Sequence, residues 1–122
     1  MSEYRDDILE VVGDRLLEEP TVVRGLIFGH PGFKIENRVF GFVWGDGLCL
    51  KLSKPDYQTC LELEEAEPFA PGGERPMSTW AVISYPEAYD YLENWHWVQR
   101  AMAYVVTDEG APPKKGKKKK RG

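Results

Sequence analysis

At 122 residues the chain has room for one ordinary domain and not for two. An apolar share of 42%, with five Phe, four Trp and six Tyr, supports a real hydrophobic core and excludes a wholly disordered chain. The net charge of −4 hides a split: seven of the sixteen basic residues fall in KKGKKKKRG, 114–122, which leaves nine bases against twenty acids, a net of −11, in the first 113 positions.

No apolar run is long enough to cross a bilayer, so no membrane association is expected. The opening MSEYRDDILE is acidic where a secretory signal would be basic and then apolar. Cys49 and Cys60 are too few for a disulfide framework. These features together predict a cytoplasmic protein with reduced thiols.

The first element is a helix within RDDILEVVGDRLLEE, 5–19. Ile8, Leu9, Val12 and Leu16 fall on one helical face, and Pro20 stops the run. Gly13 inside it costs about 1 kcal/mol relative to Ala, so the helix needs the core to hold it.

From Val22 to Leu52 the period changes to two. The runs FKI, RVFGFVW and LCLKL read as three strands of a meander, separated by Glu36-Asn37 and by Gly45-Asp46-Gly47. Asn and Gly tolerate the positive φ that such turns require. Alternation places Phe40, Phe42 and Trp44 on one face and Val39, Gly41 and Val43 on the other. It puts Leu48, Leu50 and Leu52 toward the core, with Cys49 and Lys51 opposite.

SKPD, 53–56, and SYPE, 84–87, share a helix-start pattern: a serine cap, an early proline, and an acid three residues on. The first predicts a short helix through YQTCLELEE. The second predicts a longer one, with Ala88, Leu92, Trp95, Val98, Met102 and Val105 on its inner face. Between them lie a short strand near Pro68-Phe69 and a second, TWAVIS, whose Trp80 and Val82 should both face the core. GAPP, 110–113, ends the last helix. The predicted order is α-β-β-β-α-β-β-α. This is an α+β fold of two layers, one antiparallel sheet of about five strands with flanking helices. It spans 1–107, and 108–122 form a Lys-rich tail expected to be disordered.

Several residues are candidates for chemistry. His30, in IFGHPGF, could be a ligand or general base, but glycines and a proline around it point to a bulge or turn. A metal site needs several ligands, and His96 is the only other histidine. Cys49 could act as a nucleophile with His30 as base, although a mid-strand cysteine between leucines reads as a small buried hydrophobe. Lys51 and Arg75 could hold an anion or form ordinary salt bridges with the acidic body. Glu62, Glu64, Glu65 and Glu67 read as a solvated helix end. Trp97, off the core face, could form with Tyr104 an exposed aromatic stripe that marks a partner surface. No Gly-rich phosphate loop is present, and no cofactor is expected.

FGHPGFKIENRVFGFVWGDGLCLKL, then EPFAPGGERPMSTWAVI, then a terminal amphipathic helix, resemble the TfoX amino-terminal domain family in its short single-domain form. The resemblance covers about residues 22–106. Phe28, Gly29, Gly32, Phe40, Leu50, Lys51, Arg75, Pro76, Met77 and Trp80 carry it. The departures are Ile27 where the family usually has Met, Asn37 where it often has Gly, and Glu74 where Gly is expected. The competence regulator that names the family carries a second, carboxy-terminal domain, in place of which this chain has its lysine tail. The resemblance implies a small two-layer α+β domain without established catalytic residues.

These residues predict a non-enzymatic binding or regulatory domain, with a protein partner or a second copy as its ligand. The alternative is a small-molecule enzyme using His30 or Cys49 near Lys51 and Arg75. The tail offers a third role. Lys114, Lys115, Lys117, Lys118, Lys119, Lys120 and Arg121 could make weak, non-specific contact with nucleic acid.

Overall fold

The computed structural model describes residues 4–73 and 75–110. Of the predicted tail, 108–122, residues 108–110 instead form a turn that ends at buried Gly110, whose carbonyl accepts from Lys51, and 111–122 lie outside the described residues.

The first helix, α1, spans Asp6–Leu16, with Asp6 and Asp7 in its first turn and Arg15 in its last, each suited to the helix dipole. Ile8, Val12 and Leu16 are buried as the periodicity requires. Gly13 is buried too. A Cβ there would lie 3.5 Å from the Arg24 guanidinium and 3.6 Å from the Phe33 ring, so the helix sits directly on the sheet at this point.

Four strands follow as a meander: β1 (Val22–Ile27), β2 (His30–Ile35), β3 (Arg38–Trp44) and β4 (Gly47–Lys51). The pairs Ile27–His30, Ile35–Arg38 and Trp44–Gly47 close two-residue turns. Positive φ angles occur in all three, at Phe28 (55°) and Gly29 (79°), at Glu36 (53°) and Asn37 (66°), and at Gly45 (58°). Such turns match the twist of the flanking strands. β1 is one strand more than the sequence reading contains, because Phe28-Gly29 is not a dipeptide that announces a turn. His30 is correspondingly the first residue of β2 rather than part of the turn.

Helix α2 spans Lys54–Cys60, and the Asp56 amide donates to the Ser53 hydroxyl at 3.3 Å, the cap that SKPD predicts. It stops five residues before the expected run ends, so Glu62, Glu64 and Glu65 lie in the turn beyond it. β5 (Ala66–Pro68) and β6 (Trp80–Ile83) complete one open antiparallel sheet of six strands, ordered β1-β2-β3-β4-β6-β5.

SYPE does not start a helix. The Ser84 amide donates to the Glu65 carbonyl and so extends the sheet. The Tyr85 amide donates to the Tyr91 hydroxyl, which donates onward to the Ile83 carbonyl. The expected long helix is two: α3 (Asp90–Glu93) and α4 (His96–Val105), broken at Asn94. The break resets the helical phase. Trp97, Val98, Ala101 and Val105 become the buried face, while Trp95 and Met102 are half-buried. Trp97, expected off the core, is thus inside it, and there is no exposed Trp97–Tyr104 stripe.

The four helices cover one face of the sheet. Ile8, Val12, Leu16, Phe33, Phe40, Leu48, Leu50, Leu52 and Ile83 form the main core with Trp97 and Val98. A second, smaller cluster of Phe42, Cys49, Phe69 and Val82 draws no residue from a helix. Two expectations change here. Phe40 does not share a face with Phe42 and Trp44, because the β2–β3 register shifts between Phe33 and Lys34. Phe33 pairs with Gly41 and Lys34 with Val39, so Phe40 is the extra residue of a bulge and turns to the helix side. Trp80 and Val82 do share a face, but it is the helix-free one. Ala81 and Ile83 point to the main core.

The candidate site: an aromatic face without helices

The alternation of β3, β4 and β6 sets the helix-free face. Phe42 pairs with Cys49, and Cys49 with Val82, so one row of side chains crosses three strands. Phe42 is its centre, with ring centroids 5.3 Å from Phe69, 5.4 Å from Trp80 and 6.2 Å from Trp44. The Trp44 and Phe69 rings meet edge-on at 4.9 Å. Gly32 lies beside this row for a steric reason. A Cβ there would come within 2.5 Å of the Ile27 side chain and 2.9 Å of the Gly41 carbonyl.

Phe28 caps the face from the β1–β2 turn. Its ring lies 6.1–6.2 Å from those of Phe42, Trp44 and Phe69. Yet it is 60% exposed, and its φ of 55° is one that a bulky side chain rarely adopts. His30, next to it, is buried, its ring 4.4 Å from that of Trp44 and 5.9 Å from that of Tyr4.

Cys49 is fully buried at the middle of the face, and burial pushes its thiol well above the ordinary range. Burial thus disfavours the thiolate, the opposite of what a nucleophile needs. Cys60 is buried as well, and both thiols are free.

Lys51 closes the far end of β4, opposite Trp80. With Arg38, Val39, Trp80 and Gly110 it lines a cleft of about 310 Å³. Its ammonium donates to the Gly110 carbonyl at 3.1 Å. Burial, and then the charge of Arg38, hold its pKa below the ordinary lysine value. Arg38 donates to the Val105 carbonyl, and so caps the end of α4. None of the described ion pairs, Arg5–Asp7, Arg15–Glu18 and Arg100–Asp56, involves Lys51 or Arg75. Arg75 is exposed in the loop before β6.

The candidates are therefore spread out. His30 lies by Trp44, whose partner on β4 is Gly47, while Lys51 is the last residue of that strand. Four residues of strand, about 13 Å, separate those two ends. Glu62, Glu64, Glu65 and Glu67 are all exposed. Among the described residues no three His, Cys, Asp or Glu side chains group as metal ligands, and no helix is long and apolar enough to cross a membrane. A groove of about 450 Å³ beside α1 is lined by acids, among them Glu10, Asp14 and Glu87.

Comparison of the chain with protein-family models, with curated proteins and with solved structures finds no match.

Neither the exposure of Phe28 nor the aromatic face is among the features that the local sequence patterns announce. The signal for the face lies across strands. Phe42 and Trp44 alternate on β3, Trp80 and Val82 on β6, and two apolar faces on one sheet imply a second cluster.

Proposed function

We propose that this chain is a cytoplasmic, non-enzymatic binding or regulatory domain, of the kind its resemblance to the TfoX amino-terminal domain implies. It meets a protein partner with the end of the sheet that carries Phe28. The observation behind this reading is Phe28 itself. An exposed aromatic side chain at positive φ costs about 1–2 kcal/mol that Gly or Asn would avoid, and strain of this kind collects at functional sites. The enzyme reading has less support, since burial disfavours the Cys49 thiolate and His30 and Lys51 belong to opposite ends of the sheet.

The test is site-specific photo-crosslinking in cells, with a benzophenone side chain at position 28 and, as control, at exposed Ala103 on α4. Discrete adducts at 28, absent at 103 and competed by the unlabelled chain but not by its Phe28→Ser variant, are expected. Identical adduct patterns at both positions would end the proposal.

The basic tail supports a second and separate reading. Seven cations within 114–122 suit sequence-blind contact with nucleic acid that weakens steeply with salt. Deletion of 111–122 should abolish any DNA or RNA retention at low salt, and retention by the truncated chain would refute it.

A further inference from the structure

The two edges of the sheet are built differently. β5 is three residues long and carries Glu67 and Pro68, which are ordinary devices for keeping an edge from pairing with another chain. β1 is six residues long, VVRGLI, with no proline, no lysine and an unbroken register to β2. Three exposed large apolar side chains lie on this strand or at its turn: Leu26 (76%), Phe28 (60%) and Val23 (51%).

We propose that β1 is a dimerisation edge. Two copies of this chain pair β1 against β1, antiparallel, about a twofold axis through Gly25. The inference names a partner for the surface proposed above and rests on that reading.

The backbone dictates the geometry. A two-residue turn makes Ile27–His30 a hydrogen-bonded pair, so Ile27, Gly25 and Val23 bond inward to β2. The N–H and C=O groups of Arg24 and Leu26 point outward, and no backbone bond from another described segment reaches them. In an antiparallel pair, outward groups must face outward groups. With Gly25 on the axis, Arg24 stands opposite Leu26 of the second copy, and Val23 opposite Ile27 of the second copy. Moving the axis to Arg24 would oppose two guanidinium groups. Moving it to Leu26 would leave Val22 and Val23 without strand opposite them. Gly25 suits the axis, where two non-hydrogen-bonded residues approach most closely. Arg24 extends beside α1 at Gly13, on the face where Leu26 of the second copy would arrive. The result is isologous and closed, with no free β1 edge left to propagate.

The full chain is tested by sedimentation equilibrium over a concentration series, and the expected mass rises from 14.0 kDa to twice that value. Leu26→Lys sets lysine opposite arginine twice by symmetry, and should weaken the dimer about tenfold, with melting of the monomer unchanged. Gly25→Cys should give a disulfide-linked dimer on mild oxidation, because axis residues lie about 4.5 Å apart between Cα atoms. Val23→Cys should not. The native thiols are buried and do not interfere. In the unmodified chain, the Arg24 and Leu26 amides should gain hydrogen-exchange protection as concentration rises. A chain that stays monomeric throughout, a dimer indifferent to Leu26→Lys, or cross-linking by Val23→Cys and not by Gly25→Cys would each overturn the proposal. A monomer that still cross-links another protein at Phe28 would defeat the dimer and leave the binding reading standing. A monomer without such adducts would defeat both.

Discussion

Removing one hydroxyl, by Tyr91→Phe, should destabilise the protein by about 1–3 kcal/mol. The Tyr91 side chain is buried, and its ring meets that of Tyr85 edge-on at 5.0 Å. Its hydroxyl donates to the Ile83 carbonyl at 2.7 Å and accepts from the Tyr85 amide at 3.1 Å. Phenylalanine keeps the ring contact and nearly all the volume, so no cavity term enters. What it leaves is an amide and a carbonyl where β6 ends, both in buried surroundings. The orphaned donor is the larger loss, because an amide has one hydrogen to place and a carbonyl has two lone pairs. One further change sets the scale. Tyr104→Phe also deletes a hydroxyl bond, to the Glu109 carbonyl, but at the surface, where water replaces it. It should cost under about 0.5 kcal/mol. Urea unfolding at neutral pH, followed by tryptophan fluorescence, gives both numbers. The midpoint should fall for Tyr91→Phe with the slope unchanged. Equal midpoints for the two variants would refute the account of the strand end.

Alkaline pH should unfold the protein. Burial pushes the Tyr91 hydroxyl to about 12 and the Cys60 thiol, helped by the charge of Asp56, to about 12 as well. Both are acids whose folded values exceed their unfolded ones, so their stabilisation is complete below about pH 9 and is lost as pH rises toward 12. Stability measured between pH 8 and 11 should fall, with a shallower slope in Cys60→Ala; a flat profile contradicts this. Gly13→Ala should stabilise by up to about 1 kcal/mol, because the new methyl meets Arg24 and Phe33 at ordinary contact distance while the helix gains a better former. A lowered melting temperature would show that α1 sits closer to the sheet than those distances. Trp97→Ala should cost about 3–5 kcal/mol, as a buried member of the main core; a loss below 1 kcal/mol would return Trp97 to the surface.

Much of the architecture was legible because period-2 runs and caps act locally. Leu48, Leu50 and Leu52 face the main core as alternation requires, and Ser53 caps α2. Three failures have physical causes that no local pattern carries. Phe28 occupies a positive-φ turn position against its own preference, which hid β1. The bulge at Phe40 breaks alternation within one strand. Ser84 donates its amide to the Glu65 carbonyl, a bond that continues the sheet where the local pattern predicts a helix start. In each case a pairing between strands overrode a short-range signal. The candidate site was less legible still. Individual polar residues were visible, but a face built of Phe42, Trp44, Phe69 and Trp80 exists only once the strand order is known.

The side chain at position 28 is where stability and use separate. Its backbone strain is about 1–2 kcal/mol, and an asparagine would release most of it. The ring is 40% covered, and a phenylalanine offers about 200 Å², so roughly 80 Å² leaves water, which contributes about 2 kcal/mol. The two terms nearly cancel. Folding is therefore close to indifferent between phenylalanine and asparagine there, unlike at Phe42 beneath it, which is buried and touches Phe28, Trp44, Phe69 and Trp80 at once. Phe42 is explained by the fold. Phe28 is not: its contacts inside the chain only repay its strain, and that balance is what favours the proposed contact with a partner.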